Sequence, residues 1–196
     1  MSDMFSKKKW YISEHTGFSK LHEAYAILDP QDGKKPLGEA VEEIGAIDKF
    51  KKLFLDRGMI PLHVSLQDVS GKPLLKLDRA GCAWFSPIEI RDAGNEMIGS
   101  IRQVIFSLGG ELTLSGPHGE PVGTVKPESC CGKKYTFADG SGRPVGTIVH
   151  QWKSYSRELL TSVDDWMVEL AADQAQTQAP LLVAAALTVD LLFHEN

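Results

Sequence analysis

APLLVAAALTVDLLF, residues 179–193, is the one stretch of this 196-residue chain in which hydrophobic side chains run almost unbroken. It is either a bilayer span or the centre of a protein core, and the fold turns on which. A spanning helix needs about 20 predominantly apolar residues. Here 14 run from Pro180 to Phe193 with Asp190 among them, and the preceding DQAQTQ is too polar to lengthen the span. Wound as a helix, the stretch sets Leu181, Ala184 and Leu187 on one flank and Leu182, Ala186 and Val189 on another. A helix that is apolar all round is buried in lipid or in protein, and the length favours protein. Pro180 suits a first turn, and Ala184, Ala185 and Ala186 keep the helix thin enough to thread a barrel.

The rest of the chain supplies that barrel as a repeat. The phrases IEIRDAGNEMIGSI (88–101), LTLSGPHGEPVGTV (112–125) and YTFADGSGRPVGTI (135–148) share one pattern: an alternating apolar run, a turn rich in Asp and Gly, then apolar, Gly, Ser or Thr, apolar. Gly99, Gly123 and Gly146 fall 24 and 23 residues apart. An earlier copy, VSLQDVSGKPLLKL (64–77), has Leu75 at the glycine position, and YAILDPQDGKKPLGEA (25–40) restores it as Gly38. Period-two alternation around turns that tolerate positive φ reads as a β-hairpin. A period of about 24 residues gives one hairpin per copy, whereas a propeller blade takes about 40 to 50 residues. Five hairpins therefore predict about ten strands in one closed antiparallel barrel or sandwich. By alternation Gly99, Gly123 and Gly146 share a face with Ile101, Val125 and Ile148, so if those apolar residues point inward the glycines do too. Two explanations stand side by side: close approach of another backbone, such as a central helix, or easing of a bulge.

GAIDKFKKLFLDRG (45–58) carries Ile47, Phe50, Leu53 and Phe54 at helical spacing and ends at a capping glycine. It predicts a short amphipathic helix over 46–57. The whole chain, 1–196, reads as one domain, with 1–20 as a loosely ordered terminus.

At 42% hydrophobic and 24% charged residues, the composition excludes disordered, collagenous and multispan classes. The net charge of -5 is unevenly placed: residues 151–196 carry two basic and seven acidic side chains, while the rest balances. Only Lys7-Lys8-Lys9 and Lys133-Lys134 form basic clusters, which argues against nucleic acid. The cluster beside Trp10 is either a solvated terminus or a contact for anionic lipid. No apolar secretory signal opens the sequence, so a cytoplasmic setting is expected. Three cysteines, Cys82, Cys130 and Cys131, lack the spacing of a disulfide framework and read as reduced thiols. Zinc held by them with His118 or His150 would require adjacent cysteines to chelate, against the usual spacing. No nucleophile elbow, zinc-protease helix, phosphate loop or dinucleotide fingerprint is present, so no covalent catalysis is expected.

The hairpins, VGTIVHQWKSYSRELLTSVDDW (145–166) and LLVAAALTVDLLF (181–193) together resemble the phospholipid scramblase family, its bacterial relatives and the plant LURP-one-related proteins of the tubby-like superfamily. The matching residues include Ile98 to Gln103, Cys130-Cys131-Gly132, Trp152, Arg157-Glu158, Thr161 and Val189-Asp190. The resemblance implies a closed barrel of about 12 strands around a buried hydrophobic C-terminal helix. It also implies a calcium loop, matched here by SVDDWMVELAAD (162–173), with Asp164, Asp165 and Asp173 as candidate ligands. Ser162 and Met167 depart from the usual loop pattern of an initial Asp and a sixth-position Gly. The other reading is a solvated acidic turn entering a strand, since Trp166, Val168 and Leu170 alternate.

Three functions follow as expectations. The leading one is a non-enzymatic module that binds anionic membrane lipid peripherally, on the inner face of the membrane, without a required cofactor. Its candidate surface is Lys133, Lys134, Arg143, Lys153 and Arg157, with Trp84 and Phe85 as interfacial anchors; the alternative for each is ordinary barrel surface or core. The second is lipid scrambling with residues 181–193 entering the bilayer. The third is a soluble protein-interaction module that uses the outside or rim of the barrel.

Overall fold

The computed structural model describes residues 3–16, 23–43, 61–80, 86–104, 106–107, 109–129, 132–151, 165–171 and 176–194. Twelve strands alternate up and down in chain order: β1 (Lys9–Thr16), β2 (Glu23–Asp29), β3 (Lys35–Glu42), β4 (Leu62–Asp68), β5 (Pro73–Arg79), β6 (Ile88–Asp92), β7 (Met97–Val104), β8 (Glu111–Ser115), β9 (Pro121–Pro127), β10 (Lys134–Asp139), β11 (Pro144–Gln151) and β12 (Asp165–Leu170). Each pairs antiparallel with its chain neighbours, and β12 pairs with β1, so the sheet closes without an edge. A short helix, α1 (Asp3–Ser6), precedes β1; a single 3-10 turn (Gln176–Gln178) leads into α2 (Ala179–Phe193). The predicted helix over 46–57 and the cysteines Cys82, Cys130 and Cys131 lie outside the described residues.

The stretch that decides the fold occupies the barrel axis. Twelve of the 15 residues of α2 are buried, from Ala179 to Leu191. They share one core with the inward rows of all twelve strands, including Ile12, Ile27, Leu66, Leu77, Ile101, Leu114, Phe137, Ile148 and Val168. The bulge explanation holds at every repeated glycine, and the backbone that crowds Gly38, Gly99, Gly123 and Gly146 is a carbonyl of the neighbouring strand, with side chains of α2 adding to it only at Gly99 and Gly146. A Cβ on Gly99 would come within 2.9 Å of Leu181 Cδ2, and one on Gly146 within 3.0 Å of Leu182 Cδ2. Gly38 makes room instead for Met4 of α1, and Gly123 for the Phe137 ring. Each hairpin register also slips by one residue just before that position, leaving Leu37, Leu74, Ile98, Val122 and Val145 as the extra residue. Five bulges at one level sharpen the twist that lets the sheet close.

The reading of residues 1–20 as a loose terminus is corrected for the described part. β1 is the strand that closes the barrel, and Trp10 and Ile12 are core residues. Met4 and Phe5 are buried, and the Trp10 indole N–H donates to the Met4 carbonyl at 2.9 Å. Lys7 pairs with the buried Asp29 at 2.9 Å and Lys9 with Glu169 at 3.0 Å, so two of the three clustered lysines engage barrel carboxylates. Asp165 clasps the seam: its carboxylate accepts the hydroxyls of Tyr11 and Ser13 from the neighbouring strand. Burial, then the hydrogen bond to Asp165 and its charge, push the Tyr11 phenol well above its usual range.

Candidate functional site

Up-and-down connectivity gives the barrel two different ends. The β2–β3, β4–β5, β6–β7, β8–β9 and β10–β11 turns share one end with α1 and the start of α2; the opposite strand ends share the second end with the last turn of α2.

At the turn end, carboxylates serve their own turns. Asp68 Oδ1 accepts the backbone N–H groups of Ser70 and Lys72, Asp92 Oδ1 those of Gly94 and Glu96, and Asp139 Oδ1 those of Ser141 and Arg143. The fourth residue of each turn takes positive φ, at Gly71, Asn95, Gly119 and Gly142. The β8–β9 turn has Gly116 where the others have Asp, and Glu120 fills the vacancy. Its carboxylate accepts the His118 N–H at 2.9 Å and occupies the space a Gly116 side chain would need. Hydrogen bonding to the ionised form holds Asp68 and Asp139 below the usual carboxylate range, Asp139 at about 2.

At the second end, polar groups reach between elements. The Trp166 indole of β12 donates to Asp190 Oδ1 of α2 at 2.7 Å, with both residues buried. The Tyr135 hydroxyl of β10 lies 3.0 Å from the Gly109 carbonyl and 3.1 Å from His194 Nε2. A phenol has one proton and a carbonyl can only accept. Tyr135 therefore donates to Gly109 and accepts from His194, so His194 Nε2 carries a proton. Burial first, then the Asp190 charge, raise the Tyr135 phenol to about 12, which keeps it a donor throughout the physiological range. His150 of β11 and His194 stack with ring centroids 6.1 Å apart, each edge-on to Trp166 at 4.9 and 4.8 Å. The arrangement is a clasp on the end of α2, tying it to β10, β11 and β12.

The proposed site residues divide between these ends. Lys133 and Lys134, exposed at the start of β10, stand at the second end; Lys134 pairs with Glu128 at 3.0 Å. Arg143 follows the β10–β11 turn at the opposite end and pairs with Asp139 at 3.2 Å, so the structure does not gather it with the lysines. Trp84, Phe85, Lys153 and Arg157 lie outside the described residues, as do Asp164 and Asp173. Asp165 is buried, with an oxygen on each of two hydroxyls. Among the described residues no group of three or more His, Cys, Asp or Glu side chains could hold a metal ion. Two grooves open outside the barrel. One, of about 470 Å³, is lined by Ala24, Ala26, Leu28, Pro36 and Val69; the other, of about 210 Å³, is polar and contains the His63–Asp78 pair at 2.8 Å.

Two features escape sequence reasoning. Asp190 counts against a bilayer in the sequence, but nothing there names Trp166 as its partner. Phe106, fully exposed between β7 and β8, sits in VIFSLGG, whose glycine pair signals a reversal without showing which side chain it presents.

The fold is a closed twelve-stranded antiparallel barrel built round its own hydrophobic helix, with that helix clasped at one mouth. A family model described as Scramblase matches residues 15–196, nearly the whole chain. The chain belongs to the scramblase family, and membership of the tubby-like superfamily is consistent with that.

Proposed function

We propose that this chain is a non-enzymatic lipid-binding module that associates peripherally with anionic membrane, on its inner face, while α2 stays inside the barrel. The observation that carries the reading is the burial of α2 together with the Asp190–Trp166 hydrogen bond. Sending α2 into a bilayer would empty the barrel core, strand the Trp166 N–H and carry a carboxylate into hydrocarbon. A buried polar group that loses its partner costs about 1–3 kcal/mol, and an acidic residue at a bilayer centre about 2.5–3.5 kcal/mol. No helix among the described residues is long and apolar enough to cross a membrane.

Sedimentation with vesicles containing phosphatidylserine at physiological salt tests the reading. Partition into the pellet is expected, with no acceleration of lipid flip-flop in the same vesicles. Protein left wholly in the supernatant overturns lipid binding, and rapid flip-flop favours helix insertion instead. The reading requires no cofactor. Calorimetric titration with millimolar calcium is expected to give no heat; a saturable heat lost on neutralising Asp164 and Asp173 would establish the calcium loop.

A further inference from the structure

Phe106 carries two costs that nothing among the described residues repays. Its side chain is fully exposed, and its backbone lies at φ 63, in the left-handed region that bulky residues avoid. A lone exposed hydrophobic residue is ordinary. One held out by a strained backbone is an outlier, and such strain persists where the surroundings over-determine it and function uses it. The surroundings here do over-determine it. The Ser107 hydroxyl donates to the Val104 carbonyl at 3.0 Å and accepts the Glu111 N–H at 2.8 Å. Gly109 packs on Pro127 and Ser129 and is held by the Tyr135 hydroxyl, while Gly110 lies under the Phe193 ring. The base of the loop is fixed to β9, β10 and α2, and its tip presents an aromatic ring to solvent.

The same end of the barrel carries Lys126, Lys133 and Lys134, all exposed. Lys126 pairs with Glu111 at 3.1 Å and Lys134 with Glu128 at 3.0 Å, both at the surface. Exposed pairs of this kind contribute little and exchange partners readily. Val69, the other large hydrophobic side chain exposed among the described residues, is in the β4–β5 turn at the opposite end.

We infer that Phe106 is an interfacial anchor: the second end of the barrel faces an anionic bilayer, Phe106 enters the headgroup layer, and Lys126, Lys133 and Lys134 meet lipid phosphates. This deepens the proposed lipid binding and rests on it. Aromatic rings favour the membrane interface, and juxtaposed lysines add an attraction that salt weakens.

The test is sedimentation of the full chain with vesicles of phosphatidylcholine, alone or mixed with phosphatidylserine, at low and physiological salt. Phe106→Ser is expected to lower partition about tenfold, the loss of one buried aromatic, at both salt levels. Lys133→Glu with Lys134→Glu should lower it mainly in the phosphatidylserine vesicles at low salt, and Val69→Ser should leave it unchanged. Phe106→Gly separates anchoring from folding: relief of the left-handed strain raises the melting temperature while partition falls as in Phe106→Ser. If wild-type protein binds and the Phe106 variants bind equally well, or if Val69→Ser loses as much, the anchor is wrong and lipid binding stands. If wild-type protein binds neither vesicle, both fall, and Phe106 is left for a protein partner.

Discussion

The two ends of this barrel solve the same problem, satisfying polar groups at the rim, in opposite ways. At the turn end four of the five hairpins are self-contained: a carboxylate, Asp68, Asp92, Asp139 or the substitute Glu120, accepts N–H groups from within its own turn. Asp29 of the β2–β3 turn, which accepts the Gln31 N–H, also reaches outside its turn, to Lys7. At the other end the bonds run between distant elements, Trp166 to Asp190 and Tyr135 to Gly109 and His194. A local solution can repeat, because it needs only neighbours in sequence. A non-local one is made once, because it depends on where the whole chain puts its parts.

That contrast can be attacked in order of expected effect. Trp166→Ala removes a fully buried ring and the Asp190 hydrogen bond together, and should cost about 3–5 kcal/mol by chemical denaturation. A near-neutral result would mean that the clasp does not hold α2. Gly146→Val drives a side chain against the Glu169 carbonyl and Leu182, and about 1–3 kcal/mol of overpacking is expected. Asp190→Ala should cost about 2 kcal/mol through the stranded indole N–H. It should also couple to Tyr135→Phe in a double-mutant cycle, because Asp190 and Tyr135 share one cluster. Asp68→Ala and Asp139→Ala, in separate turns, should instead add without coupling.

The smallest effect is the acid response of the turn end. Asp68 and Asp139 have folded values below the ordinary carboxylate range of about 3.9. Their stabilisation is therefore complete above that range and is lost as pH falls through it toward about 2. Melting temperature should decline over this interval in the wild type and decline less in Asp139→Asn, which cannot titrate. An unchanged slope would show that the turn carboxylates do not report on folding.

What the sequence discloses follows the same division. The hairpins, their glycine level and the enclosed helix are legible because each rests on local periodicity: alternation over five to eight residues, a turn residue at a fixed offset, an apolar run too short for a bilayer. β1 was not legible as the closing strand. Its Trp10-Ile12 alternation is short and follows three lysines, and its partner β12 lies more than 150 residues away in the chain. Asp165 shows the same limit. Its position in an acidic run suggests a metal loop, whereas its hydroxyl partners Tyr11 and Ser13 come from the other terminus. Arg143 and Lys133 look like one basic surface because ten residues separate them, yet a strand between them sends them to opposite ends.

The position of α2 in the element order bears on how the protein is made. The helix that fills the barrel follows all twelve strands. As the chain leaves the ribosome, inward rows such as Ile27, Leu77, Ile101 and Phe137 exist before the residues that will cover them. Closure of β1 onto β12 and entry of the helix must both wait for the last part of the chain. Such long-range pairing is slow, and the exposed apolar strands are open to aggregation meanwhile. A chain cut short before residue 179 would hold all twelve strands with nothing to fill them.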